Sequence, residues 1–177
     1  MAIIYEIIRQ RKQGLTMAGK TAVHDIDLLV ASGCVDKVEA AYSFGHELRG
    51  LSHASRRAVE KGRCRVVSEI SNAAYQWRFL AGMMGIPFIP SRTLLGTDTF
   101  KKSSAKAVTC PFTRKPLALI PSCNPDAGVI HVHRCDEYGN AQIDGALIED
   151  FELSRASRKL IVTTEEVTPH KRIRLEP

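Results

Sequence analysis

Residues 64–90 read CRVVSEISNAAYQWRFLAGMMGIPFIP, and the order of patterns within them decides the class of fold. CRVVSE predicts a strand that ends at Glu69. Ser71 or Asn72 then stands where a helix cap is needed. Ala73, Ala74, Trp77, Leu80, Ala81 and Met84 recur at helical spacing and predict one apolar face, with Gln76 and Arg78 turned away from it. Gly85 stops the helix, and Ile86–Pro90 supplies the next extended run. Strand, helix and strand in succession form the unit from which parallel sheets are built.

The same alternation continues outward. Upstream, Ile3, Ile4, Ile7 and Ile8 form a helical stripe and Leu15–Ala18 a short strand. A helix follows over residues 24–31, with Asp25 as its expected N-cap and Gly33 just past its end. Val38–Tyr42 predicts a strand, residues 43–52 a loop, and His53–Lys61 a basic helix. Downstream, residues 91–115 are rich in Ser, Thr, Gly and Lys without periodicity and predict a long surface excursion, a length that suggests function. Leu117–Ile120 is a short strand, and AGVIHVH (127–133) has the near-continuous apolar character of a strand buried on both faces. A helix from about residue 145 to 157 would turn Leu147, Ile148 and Phe151 to one side, and KLIVTTEEV (159–167) is a β-branched strand. HKRIRLEP (170–177) resembles a terminal extension or a truncated linker. The expectation is an α/β protein with an open, largely parallel sheet, helices on both faces, and a single domain over residues 1–177.

Composition agrees with an ordinary globular chain. At 177 residues, with 44% hydrophobic and 25% charged residues, one well-buried core is expected and disorder is not. No apolar run approaches the roughly 18 to 20 residues that cross a bilayer, and the first residues lack a secretion signal, so no membrane association and a cytoplasmic location are expected. Cys34, Cys64, Cys110, Cys123 and Cys135 are scattered without a CxxC pair, which argues against a disulfide framework or a zinc ribbon. A net charge of +6 favours anionic partners without saying which. Aromatic residues make up 6% and are not interleaved with the basic ones, so nucleic acid is not an expected partner.

In open α/β sheets ligands gather beyond the carboxyl ends of the strands, which directs attention to residues just after each one. Glu69 is the most suggestive, since a carboxylate beside a helix N-terminus can act as nucleophile, base or anchor, although a capping role is the simpler local reading. His131 and His133 lie two apart on one strand and share a face, yet no third ligand accompanies them, and no metal is expected. GxGxxG, GxxxxGKS and GxSxG motifs are all absent. Gly96-Thr97-Asp98, with Lys101, Lys102 and Lys106 nearby, could form a backbone nest for an anion, or simply a polar turn before a solvated lysine face.

A more specific signal comes from several stretches together. SEISNAAYQWRFLAGMMGIPFIPSRTLLGTDTF (68–100), YEIIRQ (5–10), HDIDLL (24–29), CPFT (110–113), IHVH (130–133) and DEYGNAQ (136–142) resemble, in order and along nearly the whole chain, the α (A) subunits of family I coenzyme A transferases, especially those of the glutaconate CoA-transferase group. The resemblance implies the CoA-transferase α/β fold and an acyl transferase that moves CoA between carboxylic acids. Dicarboxylic or 3-oxo acyl-CoA is the implied substrate, with coenzyme A itself as a substrate and no covalently bound cofactor. It also implies a β-subunit partner that supplies the nucleophilic glutamate and passes through a glutamyl-CoA intermediate.

Relative to the family, the glycine-rich opening segment and the C-terminal part are missing, so the chain resembles an α subunit shortened at both ends. It is expected to be inactive alone and to associate through an unpaired sheet edge or through Phe88–Ile89 and Leu94–Leu95. The implied pocket residues are Ser43, Phe44 and His46 after the third strand, Glu69 and Ser71 after the fourth, and Gly96, Thr97 and Asp98 in the long loop. Arg92 or Arg49 could meet a distal carboxylate. A CoA-ester hydrolase or ring-opening subunit, or a non-catalytic module on the same scaffold, remain alternatives.

Overall fold

A computed structural model describes residues 1–43, 45, 46, 48 and 50–175; at His46 only the backbone is described. The chain divides into two compact units, residues 1–77 with 88–121, and residues 78–87 with 122–177.

The first unit holds α1 (Ala2–Arg9), β1 (Leu15–Lys20), α2 (His24–Ala31), β2 (Val35–Ala41), the short β3 (Gly45–His46) and β4 (Gly50–Leu51), α3 (His53–Glu60) and β5 (Arg65–Glu69). Strands β1, β2 and β5 form a parallel sheet in that order, with Ala40 opposite Glu69. Ile26, Leu29, Val30, Val35, Val38 and Cys64 are buried in its core, and Ile4, Ile7 and Ile8 of α1 pack against them. Ser55 of α3 is fully buried and donates a 2.7 Å hydrogen bond to Asp27 Oδ1 of α2, which ties the two helices together. Asp25 is not the cap of α2. Val23 occupies that position without a side-chain bond, and Asp25 and Asp27 sit in the first turn, where their charge favours the helix N-terminus.

Helix α4 (Asn72–Met84) follows β5, and Ser71 Oγ accepts from the Ala74 amide at 3.3 Å as its cap. Its buried residues are Ala74, Tyr75, Arg78, Phe79 and Ala81, whereas Ala73 and Met84 are exposed. The face is therefore rotated from the one expected. Tyr75 and Phe79, four apart, are the largest side chains to be fully buried and they set it, taking Arg78 inward with them.

Residues 91–115 contain more order than their composition suggests. After β6 (Phe88–Ser91) come α5 (Asp98–Lys102) and β7 (Lys106–Thr109), and β7 turns into β8 (Pro116–Pro121) as an antiparallel hairpin, giving a sheet ordered β6-β8-β7. Every residue of β7 is exposed, so no alternation of burial marks it.

In the second unit β9 (Gly128–Cys135) pairs in parallel with β11 (Leu160–Val167) and antiparallel with β10 (Ala141–Gln142). One face of β9 is buried through Gly128, Ile130 and Val132, while Val129, His131 and His133 of the other face are exposed, so the strand is not buried on both faces. Helix α6 (Asp150–Ala156) is shorter than expected. Leu147 and Ile148 precede it exposed, and Phe151 lies under the Arg155 guanidinium rather than in a core. The last described residues form α7 (His170–Leu175), whose Ile173 is buried.

The α/β class and the parallel pairing thus hold, with the parallel strands shared between two three-stranded sheets. Among the described residues no helix is long and apolar enough to cross a membrane.

Candidate functional site

Parallel pairing of β2 with β5 brings the residues after both strands to one edge of the first sheet. Ser43 lies two residues past β2, and its Oγ is buried with no hydrogen-bond partner among the described residues. Glu69 is the last residue of β5 and Ser71 caps α4. Tyr75, fully buried one turn into α4, donates from its hydroxyl to the Glu39 carbonyl at 3.3 Å and fixes the helix start against β2.

The long loop reaches this edge. Ser68, almost fully buried, accepts from the Ser104 amide at 3.1 Å and donates to Ser104 Oγ at 3.3 Å, and Lys102 Nζ stands 3.7 Å from Glu69 Oε1. Helix α5 is capped by Thr97, whose Oγ1 accepts from the Phe100 amide. The Thr97 amide donates to Leu94 O, Gly96 takes a left-handed φ of +79°, and exposed Asp98 pairs with Lys101 at 2.7 Å. Gly96, Thr97 and Asp98 therefore form a hydrogen-bonded turn into a helix. Leu94 is buried within the chain itself, which takes it out of the expected association surface, whereas Phe88 is exposed.

Arg92 lies elsewhere, on a cleft of about 570 Å³ beside β6 and the β7–β8 hairpin, together with Ser91, Cys110, Thr113 and Lys115. Phe44 and Arg49 fall outside the described residues, as does the side chain of His46, whose backbone pairs with Gly50. The exposed histidines of β9 are held by hydrogen bonds. His131 meets Thr163 Oγ1 and Glu165 Oε1 at 2.9 and 2.8 Å, and His133 Nδ1 accepts from the Asp144 amide at 3.1 Å.

One cluster is not foreseen from the sequence. Asp136 is buried and accepts from His170 Nδ1 at 2.6 Å, from Asn140 Nδ2 at 2.8 Å, and from the Tyr138 and Asn140 amides at 2.9 Å. Burial opposes its ionisation, but these donors, His170 first, outweigh it and hold the carboxyl at about 2. The DEYGN turn is visible in the sequence; its partner, thirty-four residues away on α7, is not.

Similarity to known proteins bears on this architecture directly. The sequence profile described as Coenzyme A transferase matches residues 1–176. The chain belongs to the coenzyme A transferase family. It is 68% identical, over all of its residues and 40% of the other's length, to an uncharacterized protein of Archaeoglobus fulgidus. It is 37% identical over 94% of its length to the A subunit of 3-oxoadipate CoA-transferase from Pseudomonas knackmussii, covering 60% of that protein. With the A subunit of glutaconate CoA-transferase from Acidaminococcus fermentans the identity is 26% over 99% of this chain and 60% of the other. The crystal structure of that organism's glutaconate coenzyme A-transferase superposes with a TM-score of 0.92 over 99% of this chain and 61% of that one, at 24% identity, which establishes the shared fold. The chain thus spans about 40 to 60% of the length of these relatives.

Proposed function

We propose that this coenzyme A transferase chain serves as the A-type subunit of an enzyme that moves CoA between carboxylic acids, with coenzyme A as substrate and no covalently bound cofactor. The observation that carries the reading is the 37% identity with the A subunit of a 3-oxoadipate CoA-transferase across 94% of the chain. In this reading a glutamate supplied by the β-subunit partner attacks the acyl-CoA thioester. An acyl anhydride forms and CoA thiolate leaves. The thiolate then attacks the glutamyl carbonyl, which releases the first acid and leaves a glutamyl-CoA thioester for the acceptor acid to reverse.

The strand-end group of this chain suits a supporting part. Ser43, Glu69 and Ser71 sit at one sheet edge, and α5 is tethered over β5 through Ser68 and Ser104. Such an arrangement can wall off an anhydride from water, which transfer requires. Glu69 itself stands beside an ammonium and serves here as a fixed wall charge.

The test is co-expression with a candidate β subunit, followed by assay of CoA exchange between an acyl-CoA and free acids. Exchange that depends on the acceptor acid is the expected result. Loss of thioester without an acceptor would replace transfer by hydrolysis, the chemistry named for a more distant relative, the cholesterol ring-cleaving hydrolase subunit of Rhodococcus jostii, 24% identical over 94% of this chain. Exchange by the purified chain alone would overturn the dependence on a partner.

A further inference from the structure

Asp136 and His170 form a carboxylate–imidazole pair for which the transferase reading has no use. Both belong to the second unit, Asp136 just after β9 and His170 as the first residue of α7. The carboxylate is fully buried and lies 2.6 Å from His170 Nδ1, and the Tyr138 ring packs T-shaped against the imidazole, 5.1 Å between ring centres. An ionised carboxylate only accepts, so Nδ1 carries the proton and Nε2 keeps the lone pair. Nε2 has no hydrogen-bond partner among the described residues, and the side chain is 39% exposed. His170 lines a cleft of about 320 Å³ together with Lys171, Arg174 and Leu175. Among the described residues neither of these cations meets an acidic side chain, whereas Arg172 between them pairs with Glu166 at 2.9 Å.

We propose that His170 is a phosphoryl-acceptor residue, its Nε2 taking the phosphoryl group of a small acyl phosphate whose phosphoryl oxygens are held by Lys171 and Arg174. The Nε2 lone pair attacks phosphorus and an N–P bond forms. The P–O bond to the acyl group breaks, and its electron pair leaves with the carboxylate. Nδ1 keeps its proton throughout, so the phosphorylated ring is an imidazolium whose positive charge faces the Asp136 carboxylate. Asp136 acts only through His170 and is a positioning residue.

The class of donor follows from the cleft. Its volume stands at the lower end of the usual range of roughly 300–1,000 Å³ for small-molecule sites, and GxGxxG and GxxxxGKS loops are absent from the sequence, which favours a small donor over a nucleotide. No carboxylic acid or thiol lines the cleft to protonate a departing alkoxide, whereas a carboxylate leaves as a stable anion without a proton. Two cations beside the nucleophile meet the charge on the phosphoryl oxygens. The pair and its cleft carry this inference by themselves, so it stands or falls separately from the transferase reading.

His53 is an internal control. It is exposed and is likewise the first residue of its helix, α3, but no carboxylate is bonded to it among the described residues, so an effect of the helix start alone would label both histidines. The experiment is to incubate the full chain with acetyl phosphate, follow phosphorylation of each histidine by mass spectrometry at alkaline pH, and assign the ring nitrogen by phosphorus NMR. His170 should be labelled faster than His53 by about tenfold, on Nε2, at a rate that saturates with acetyl phosphate. Lys171→Gln combined with Arg174→Gln, both exposed positions, should abolish saturation and most of the excess, while Lys171→Arg keeps it. Asp136→Asn should slow labelling and spread it over both ring nitrogens, a redistribution that a loss of stability alone does not produce. Equal rates at His170 and His53, a label on Nδ1 of the unaltered chain, or an excess unchanged in the double Gln variant would each overturn the proposal.

Discussion

Gly82 offers a test in which two physical effects predict opposite signs. It lies inside α4, where Ala is the better helix former by about 1 kcal/mol, so propensity alone makes Gly82→Ala stabilising. The packing says otherwise. An ideal Cβ at Gly82 would lie 2.5 Å from the Cys123 carbonyl oxygen, 2.8 Å from Asn124 Nδ2 and 3.0 Å from Ala156 Cβ. The first contact is with main chain that cannot rotate aside, because the Cys123 amide is itself bonded to the Arg78 carbonyl at 3.0 Å. Overpacking of this kind costs about 1–3 kcal/mol and more where backbone must shift, so a net loss of roughly 2 kcal/mol is expected. For a chain of this length that is a fall in Tm of about 4–8 °C, measured by calorimetry or circular dichroism. Gly85→Ala is the matched control. Nothing lies within 4 Å of its Cβ, and only its left-handed φ of +68° opposes the substitution, by about 1–2 kcal/mol. A Tm that rises in Gly82→Ala would refute the packing argument.

Three further outcomes follow from the geometry. Ser55→Ala deprives Asp27 of its 2.7 Å donor inside the α2–α3 contact and should cost about 1–3 kcal/mol by urea denaturation, with the slope of the transition unchanged. Because the Asp136 carboxyl is held below its unfolded value of 3.8, at about 2, the stability it contributes is present above pH 3.8 and is lost as the pH falls towards 2; Asp136→Asn should remove that part of the acid limb, and His170→Gln should shift it to higher pH, both read from pH-dependent melting. In the reconstituted pair, a covalent CoA adduct trapped during turnover should map to the partner chain and survive Glu69→Gln here, whereas an adduct on Glu69 would reverse the assignment of the nucleophile.

Elements with enough turns or enough alternation are legible in the sequence. The strand at 65–69 and the helix to Met84 follow directly from composition and spacing, as do α3 and the β-branched β11, while of the two caps open in the sequence, Ser71 and Asn72, the structure selects Ser71. Where the expectations fail, short range is the cause. Apolar spacing places the face of α4 with Ala74 and Ala81 correctly but leaves it rotated, because the bulk of Tyr75 and Phe79 decides its centre. In β9 the period-two pattern is present, with Val129, His131 and His133 on one side, but the aliphatic residues interleaved with them mask it. The strand β7 and helix α5 are four and five residues long, too short for either period to repeat.

The candidate site divides along the same line. Strand ends can be found from sequence because the carboxyl edge of a parallel sheet is where ligands gather, and this rule points to Ser43, Glu69 and Ser71. What holds α5 to that edge is a pair of serine hydroxyls, Ser68 and Ser104, thirty-six residues apart, and what faces Asp136 is a histidine thirty-four residues on. Single polar contacts of this kind leave no periodic trace, since each depends on one side chain and on the topology that delivers it. The placement of Arg92 and Lys115 shows the same dependence. Lys115 reads as an ordinary surface cation, and Arg92 as one of two candidates for a distal carboxylate, until the β6-β8-β7 order sets both on one cleft, and only then does the excess of charge between residues 70 and 125 acquire a location. A sequence-wide charge imbalance is therefore best treated as a question about topology, because which cations converge is decided by strand order and not by their spacing along the chain.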